Sequence, residues 1–343
     1  MDNIKSIVLV REGSAERAFV LKDQPCPAPS AGQVLIAVEA FGLNFADIMA
    51  RKGLYRDRPP LPTVLGYDVV GRISAIGSGV TRLKPGQRVT AMTRFGGYSQ
   101  YAVTQEPAAA VIPEDMDAGV ALALTTQYCT AWYAAEECVR LQPGEQVLVH
   151  AAAGGVGTAL VQMALRRGAI VYGTAGSEQK LQALKTAGVH HPIAYRERDW
   201  DQQIRKRCGD RGLDVVWDSV GGTTFRKSLA LLGAGGRIVA YGASSLSDAS
   251  NSFQRSLRGL AFGLYHPVRF LMPSQALIGV NMLRIGDERP EVLERCLREV
   301  VACTAAGDLR PHVGGYFDAK DIAKAHTFLE SRKSSGKVAV HWT

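Results

Sequence analysis

The period of the hydrophobic positions changes once along this chain, near residue 120. Before it, short apolar runs such as "QVLIAVEAFGLN", "VLGYDVVGRISAIGSGV" and "PGQRVTAM" are punctuated by Gly and Pro, which predicts a compact, mostly β region. After it, a helical stretch, "GVALALTTQYCTAWYAAEECV", ends before "QPGEQ". Strand "QVLVHA", helix "TALVQMALRRG", strand "IVYGTA" and helix "SEQKLQALKTAG" then alternate. Strand "LDVVWDS", helix "TTFRKSLALL" and strand "GRIVAYG" continue the series. Strands alternating with helices predict βαβ units and a parallel sheet. Beyond Gly242 lie an irregular segment, a strand-like "ALIGVNML", a helix "PEVLERCLREVVACTAAG", a strand "DLRPHV", a helix "AKDIAKAHTFLESR" and a closing strand "GKVAVHW".

At 343 residues the chain fits two domains, each with its own core. Apolar residues are spread along it, which excludes disorder, and no run of about 18 apolar residues suggests a membrane span. The opening "MDNIKSIVLVREGSAERAF" reads as a first strand and not as a leader, because its apolar run is short and charges follow at once. The six cysteines (Cys26, Cys129, Cys138, Cys208, Cys296, Cys303) form no C-x-x-C pair and are expected to be reduced thiols of a cytoplasmic protein. The net charge of +8 suits an anionic ligand, but the positive residues are dispersed. They predict a generally basic surface and no nucleic-acid partner.

One loop carries chemistry. In "VLVHAAAGGVGTALVQMA" the spacing fits G-x-G-x-x-G with Ala152, Gly154 and Gly157 at the marked positions, between a strand and a helix. Ala153, Gly154, Gly155, Val156 and Gly157 are expected to cradle a pyrophosphate, Gly154 allowing close backbone approach and Gly157 close helix packing. An acid about 20 residues on normally holds the ribose of NAD. Here the chain reads Gly173, Thr174, Ala175, Gly176, Ser177, and Glu178 comes late. With no carboxylate to repel a 2′-phosphate, and with Ser177 and Lys180 as donors, NADP is expected over NAD.

Together "FGLNFADIMARKGLY", "LGYDVVGRISAIGSGVTRLKPGQRV", "AAAGGVG", "WDSVGG", "RIVAYG" and "SGKVAV" resemble the zinc-independent quinone oxidoreductase group of the medium-chain dehydrogenase/reductase superfamily. "GVHHPIAY" is most similar to the branch containing the vesicle amine transport protein. The resemblance implies an α/β chain: a GroES-like mostly-β domain over residues 1–121, completed by 287–343, and a Rossmann NADP-binding domain over 122–286. It implies a cleft between them and a homodimer joined through strands such as "ALIGVNML". It also implies roles. Asn44 and Tyr55 would line the nicotinamide end, and Thr130 would touch the cofactor. Tyr195 would flank the 2′-phosphate, and Tyr241, Gly242 and Lys337 would lie near the nicotinamide or its phosphates.

Zinc-dependent relatives place a Cys where this chain has Asn44 and a His-Glu pair where it has Tyr67 and Asp68. No Cys occurs between Gln87 and Pro113, where a structural zinc lobe would need four. No metal site is therefore expected, and Asp68 is read as a strand-end hydrogen-bond acceptor. Without a metal to polarise an alcohol, the expected acceptor is a carbon that is already electrophilic, as in a quinone or an α,β-unsaturated carbonyl compound. Two alternatives stand beside an NADPH-dependent quinone or enone reductase. One is an enoyl-thioester reductase with Tyr55 as acid. The other is a non-catalytic NADPH-binding adaptor whose segment 253–273 contacts lipid or a partner. For "FQRSLRGLAFGLYHPVRFLM", packing on its own core and roofing a cleft for bulky acceptors are both open. The pair His190–His191 is read as a surface turn.

Overall fold

The short apolar runs before residue 120 form strands, as their alternation requires. In chain order they are β1 (Asn3–Leu9), β2 (Phe19–Pro25), β3 (Gln33–Leu43), β4 (Thr63–Val64), β5 (Asp68–Ile76), β6 (Arg88–Met92), β7 (Tyr101–Gln105) and β8 (Ala109–Val111). The βαβ series supplies β9 (Gln146–Val149), β10 (Ile170–Ala175), β11 (His191–Ala194), β12 (Leu213–Asp218), β13 (Leu232–Ala240) and β14 (Ala276–Gly279). β15 (Val313–Asp318) and β16 (Lys337–His341) close the chain. This computed structural model describes residues 3–248 and 259–342. Its compact units are Met1–Cys129 with Met282–Thr343, and Thr130–Asn281.

The first unit holds a three-stranded sheet, β2-β1-β4, and a seven-stranded sheet of order β15-β16-β3-β5-β6-β8 in which β7 also pairs with β3. β3 organises it. This strand pairs with β5 along nearly its whole length, with register shifts at Leu35/Ile36 and Val38/Ala40, and with β7 and β16 along separate stretches. Val34, Ile36, Phe41, Leu43, Val69, Val89, Val338 and Val340 fill the core beneath. The C-terminal strand thus returns to the first unit, antiparallel to β3 with Val338 opposite Leu43.

The second unit is a six-stranded parallel sheet of order β11-β10-β9-β12-β13-β14. Strand order reverses between β9 and β12, and ligands of such sheets bind outside the carboxyl ends of the strands at that reversal. Its core joins Leu148, Tyr172, Ile193, Val216 and Ile238 to Trp200, Phe225 and Leu229.

Several boundaries differ from the sequence reading. The first junction falls at 129/130, not 121/122. The helical segment starting at Ala118 packs first on β3, β5 and β16, so its leading turns belong to the first unit. The second junction falls at 281/282, not 286/287. "ALIGVNML" is strand only to Gly279. Met282–Glu288 is a helix packed on the helix Pro290–Ala305. "DLRPHV" is not a strand before Val313, and Pro311 has no amide for a ladder. His191 opens β11 and lies 4.5 Å from the Tyr172 ring, whereas His190 is exposed. Two π-type stretches, Leu124–Tyr128 and Tyr133–Glu137, interrupt the helical segment.

Candidate functional site

The phosphate-loop candidate begins where β9 ends. The His150 amide donates to the Trp217 carbonyl and the Ala152 amide to the Thr174 carbonyl, so the loop is stitched to both flanking strands. Ala151 turns the chain with φ 50°. Gly154 then caps the helix Gly155–Arg166 and donates to the Ala151 carbonyl at 2.8 Å. A Cβ on Gly157 would lie 2.3 Å from that same carbonyl oxygen, so only glycine lets the helix sit this close. Ala152 stands where the motif has its first glycine and is fully buried. Its methyl fits because Gly173 faces it: a Cβ there would come within 3.0 Å. Ala153 is buried, and Gly154, Gly155 and Val156 are half-buried. The first amides of this helix have no intrahelical acceptors and carry the positive end of its dipole.

The end of β10 explains the missing acid. A Cβ on Gly176 would lie 2.5 Å from the Tyr195 hydroxyl. Tyr195 is brought there because its amide donates to the Ala175 carbonyl at 3.2 Å, one step beyond the β10–β11 pairing. A side chain at 176, an acid included, would have to displace the partly exposed Tyr195 ring. Ser177 caps the helix Glu178–Thr186, its hydroxyl oxygen accepting from the Lys180 amide at 3.4 Å. The hydroxyl hydrogen remains free to donate. Lys180 is half-buried, and burial lowers its pKa. Tyr195 thus stands over Gly176, and Ser177 and Lys180 follow it as N-cap and first turn of the next helix.

Next to the reversal, where β12 and β13 end, the Tyr241 amide donates to the Asp218 carbonyl at 3.0 Å, and a Cβ on Gly242 would meet the Ser219 carbonyl oxygen at 2.8 Å. Tyr241 is half-buried and Thr130 is buried. The sequence reading passed over two buried groups here. Asp218 Oδ1 accepts from the amides of Val220 and Gly221 at 2.6 and 2.8 Å and fixes the "WDSVGG" turn. His150 bonds Ser228 Oγ at 2.7 Å and Thr174 Oγ1 at 3.2 Å, and burial lowers its pKa.

The first unit carries a different arrangement, centred on Asp68 at the start of β5. Asp68 and Lys337 are both fully buried and form an ion pair. Asn44 joins them: its Nδ2 donates to Asp68 Oδ2 at 2.6 Å, and its Oδ1 accepts from Lys337 Nζ at 3.1 Å. The first π-type stretch aims Thr125 and Thr126 at the same carboxylate. The Thr125 hydroxyl donates at 2.6 Å and the Thr126 amide at 3.0 Å, with the Thr126 hydroxyl adding a third bond. A π-turn frees such groups from the helix ladder. Lys337, expected near the nicotinamide or its phosphates, is placed by the structure inside this ion pair. Asp68 exceeds the strand-end role expected of it.

Asp47 was missed. It lies three residues after Asn44 at the start of the helix Phe45–Arg51, and its Oδ2 accepts from the Asn44 amide at 2.8 Å. The N-x-x-D spacing ahead of an apolar helix is the signal that could have found it. Asp47 is fully buried, and its Oδ1 has no hydrogen-bond partner among the described residues. Burial pushes its carboxyl up to about 7, helped by the charge of Asp68 and opposed by the Asn44 amide and Lys337. Tyr55 is half-buried, its ring edge-on to Tyr67 at 6.2 Å. Tyr67 is buried and its hydroxyl has no hydrogen-bond partner among the described residues. Burial raises the pKa of both phenols. Among the described residues no group of three or more His, Cys, Asp or Glu is placed to hold a metal ion. No helix among the described residues is long and apolar enough to cross a membrane.

Of the segment singled out near 253–272, Phe253, Arg255 and Arg258 fall outside the described residues. Phe262 and Tyr265 pack on the second unit's core, with rings 6.1 and 6.2 Å from Phe225, and the Tyr265 hydroxyl donates to the Phe262 carbonyl. The aromatic side chains are therefore committed to local packing. Leu260, Leu264, Leu271 and Met272 are exposed.

Residues 30–143 match the family model of the alcohol dehydrogenase GroES-like domain, and residues 155–297 that of the zinc-binding dehydrogenase. The chain is 34% identical to the human synaptic vesicle membrane protein VAT-1 homolog, covering 98% of this chain and 86% of that one. Among solved structures it is similar to Escherichia coli quinone oxidoreductase complexed with NADPH (TM-score 0.85, 30% identity, 98% and 99% of the two chains). It is also similar to the CurK enoyl reductase (TM-score 0.86, 27% identity, all of both chains).

Two outcomes follow from the buried cluster. Lys337→Met strands the Asp68 charge and is expected to cost about 3–5 kcal/mol in urea unfolding; adding Asp68→Asn recovers part of that loss. Equal stability of the single and double variants would contradict the pair. The second concerns Asp47. In the unfolded chain its carboxyl ionises near 3.8, in the folded chain at about 7. Between those values only the folded state holds the proton, so this group's contribution to stability falls as pH rises through the window and is constant above it. Asp47→Asn should remove a decline on the order of a few kcal/mol, seen as a flatter stability–pH profile.

Proposed function

The chain belongs to the medium-chain dehydrogenase/reductase superfamily, in its quinone oxidoreductase/VAT-1 branch, and we propose that it is an NADPH-dependent, metal-free reductase of a quinone or an α,β-unsaturated carbonyl compound. The observation that carries this reading is the arrangement around Gly176. Tyr195 crowds the place of an acid there, and Ser177 and Lys180 are donors suited to a 2′-phosphate. The close seat of Gly157 on the Ala151 carbonyl leaves the helix amides for a pyrophosphate.

When bound, the nicotinamide supplies hydride. The chain's own residues do the rest. Ala153, Gly155, Val156 and Gly157 would hold phosphate oxygens by backbone amides, and Gly154, whose amide is bonded to the Ala151 carbonyl, would let the backbone approach the pyrophosphate closely. Ser177, Lys180 and Tyr195 select the 2′-phosphate. Tyr241 and Gly242 serve the cofactor beside the "WDSVGG" turn, and Thr130 is assigned to touch it. In the first unit, Asn44 is held rigid by Asp68 and Lys337, and we assign it to orienting the acceptor carbonyl. Tyr55, half-buried with its ring against Tyr67, is the hydroxyl we assign to protonating the product oxygen. An acceptor that is electrophilic at carbon needs only such a donor, so catalysis rests on orientation and hydrogen bonding.

A second reading, an enoyl-thioester reductase, is favoured by the likeness to the CurK enoyl reductase and by Tyr55. It uses the same cofactor and the same proton donor. A screen of quinones, enones and enoyl thioesters, following NADPH absorbance, separates the two; absence of turnover with all three classes would leave an NADPH-binding adaptor. We further assign the protein to the cytoplasm as a homodimer, tested by cell fractionation and by sedimentation.

NADPH should bind more tightly than NADH. Lys180→Ala should weaken NADPH by roughly 1.5–3 kcal/mol, about ten- to 150-fold in Kd, and leave NADH nearly unchanged. Equal affinities in the parent protein would sink the cofactor assignment. Purified protein should hold no stoichiometric zinc and keep its activity in chelator. About one zinc per chain, with activity lost on its removal, would overturn the metal-free reading.

A further inference from the structure

Ala151 opens the phosphate loop with φ 50°, a left-handed backbone that a residue with a side chain keeps only when its surroundings fix it. Its amide donates to Thr174 Oγ1 at 3.2 Å. The next amide, that of Ala152, donates to the carbonyl of the same threonine at 3.0 Å. Thr174 therefore takes both amides of the turn. Its hydroxyl is held by His150 Nδ1 at 3.2 Å, and His150 Nε2 by Ser228 Oγ at 2.7 Å. The tautomer with the ring proton on Nε2 lets the Thr174 hydroxyl accept from Ala151 and donate to Nδ1, and it leaves neither ring nitrogen idle. The three side chains come from the end of β9, from β10 and from the helix Gly222–Leu231. Each is at most 1% exposed, and the imidazole stands edge-on to the Trp200 ring at 5.2 Å. The series ends at the Ala151 carbonyl, which accepts from the Gly154 amide at 2.8 Å and lies against Gly157.

We propose that Ser228, His150 and Thr174 form a latch that fixes the phosphate loop in its anion-binding shape, which makes them positioning residues for the cofactor. The proposal rests on the dinucleotide reading for its ligand. A pyrophosphate is held by several amides at once, so freedom left in the loop is lost on binding and weakens it. The amides of Gly155, Val156 and Gly157 belong to the helix that the Ala151 carbonyl seats. Valine at 174 would keep the side-chain volume, but the Ala151 amide would lose its acceptor and the left-handed turn its hold. His150 and Ser228 act one and two steps further back, by fixing the direction in which Thr174 offers its oxygen. Sealed from solvent, all three act through the Ala151 turn. The signature is a loss of affinity for ligands that carry a pyrophosphate, with binding of a 2′-phosphate and the chemical step left alone.

The test compares the full-length parent with Thr174→Val, Thr174→Ser and Ser228→Ala. Serine restores the hydroxyl that valine removes. Thr174→Val should weaken NADPH at least about tenfold in Kd, Thr174→Ser less than about threefold, and Ser228→Ala by an amount between them. In turnover with an acceptor that the parent reduces, the loss should fall on the NADPH KM and not on kcat. Binding of 2′-AMP, which has the 2′-phosphate but no pyrophosphate, should change by less than about twofold. In cofactor-free protein, hydrogen exchange of the amides from Ala151 to Gly157 should be at least about tenfold faster in Thr174→Val than in the parent, with the β3–β5 amides unchanged. Parental NADPH affinity in Thr174→Val, no rescue by serine, or an equal loss of 2′-AMP overturns the latch. Should Thr174→Val fail to fold, Ser228→Ala carries the same arms. If the parent binds neither NADPH nor NADH, the cofactor reading fails by itself. The exchange arm still decides whether the latch holds the loop, and unchanged loop exchange in the variants rejects it.

Discussion

The fully buried ion pair between Asp68 and Lys337 constrains the first unit more than any other contact. Two opposite charges taken out of water are tolerated only when geometry and added hydrogen bonds offset their desolvation. Here the offset draws in three parts of the chain. β16 brings the lysine and β5 the aspartate, and the π-type stretch Leu124–Tyr128 turns two threonines toward the carboxylate. Between the strands, Gly42 of β3 leaves a passage that a methyl would close, since a Cβ there would lie 2.2 Å from Lys337 Cε. Asn44 is immobilised as a consequence, with both ends of its amide bonded to the pair.

By the resemblance of the sequence, that arrangement corresponds to the place of the metal ligands in zinc-dependent members of the superfamily. The exchange is chemically specific. A metal polarises an oxygen strongly, whereas an amide held by an ion pair offers direction without Lewis acidity. For the reductase proposed here, an electrophilic carbon acceptor would suit the second kind of site.

The second unit relies on small residues more than on charge. Gly157 against the Ala151 carbonyl, Gly173 against Ala152, and Gly176 against Tyr195 are three close approaches that set the loop's depth and the room beside it. Each departure from the usual dinucleotide motif is matched by a neighbour. Alanine replaces the first glycine because the facing residue is Gly173, and the ribose acid is missing where Tyr195 occupies its space.

Much of this was legible in the amino-acid sequence, because it depends on neighbours in the chain. Period and punctuation determined the strands and helices, the mostly-β and parallel-sheet regions, and the loop from Ala151 to Gly157. The absence of an acid from Gly173 to Ser177 was likewise a local fact, as was the loss of Cys and His at the positions of Asn44 and Tyr67. Boundaries such as 129/130 were not legible, since the helical segment Ala118–Glu137 reads as helix throughout and only its packing on β3, β5 and β16 assigns its first turns. The partners of buried charges were not legible either. Asp68 and Lys337 lie at opposite ends of the chain, and no spacing rule links residues joined only by strand pairing. The Asn44–Asp47 spacing was visible, but that Asp47 would be sealed from water with one oxygen unsatisfied was decided by tertiary packing, because burial and the set of facing charges belong to the folded surroundings and not to the residue.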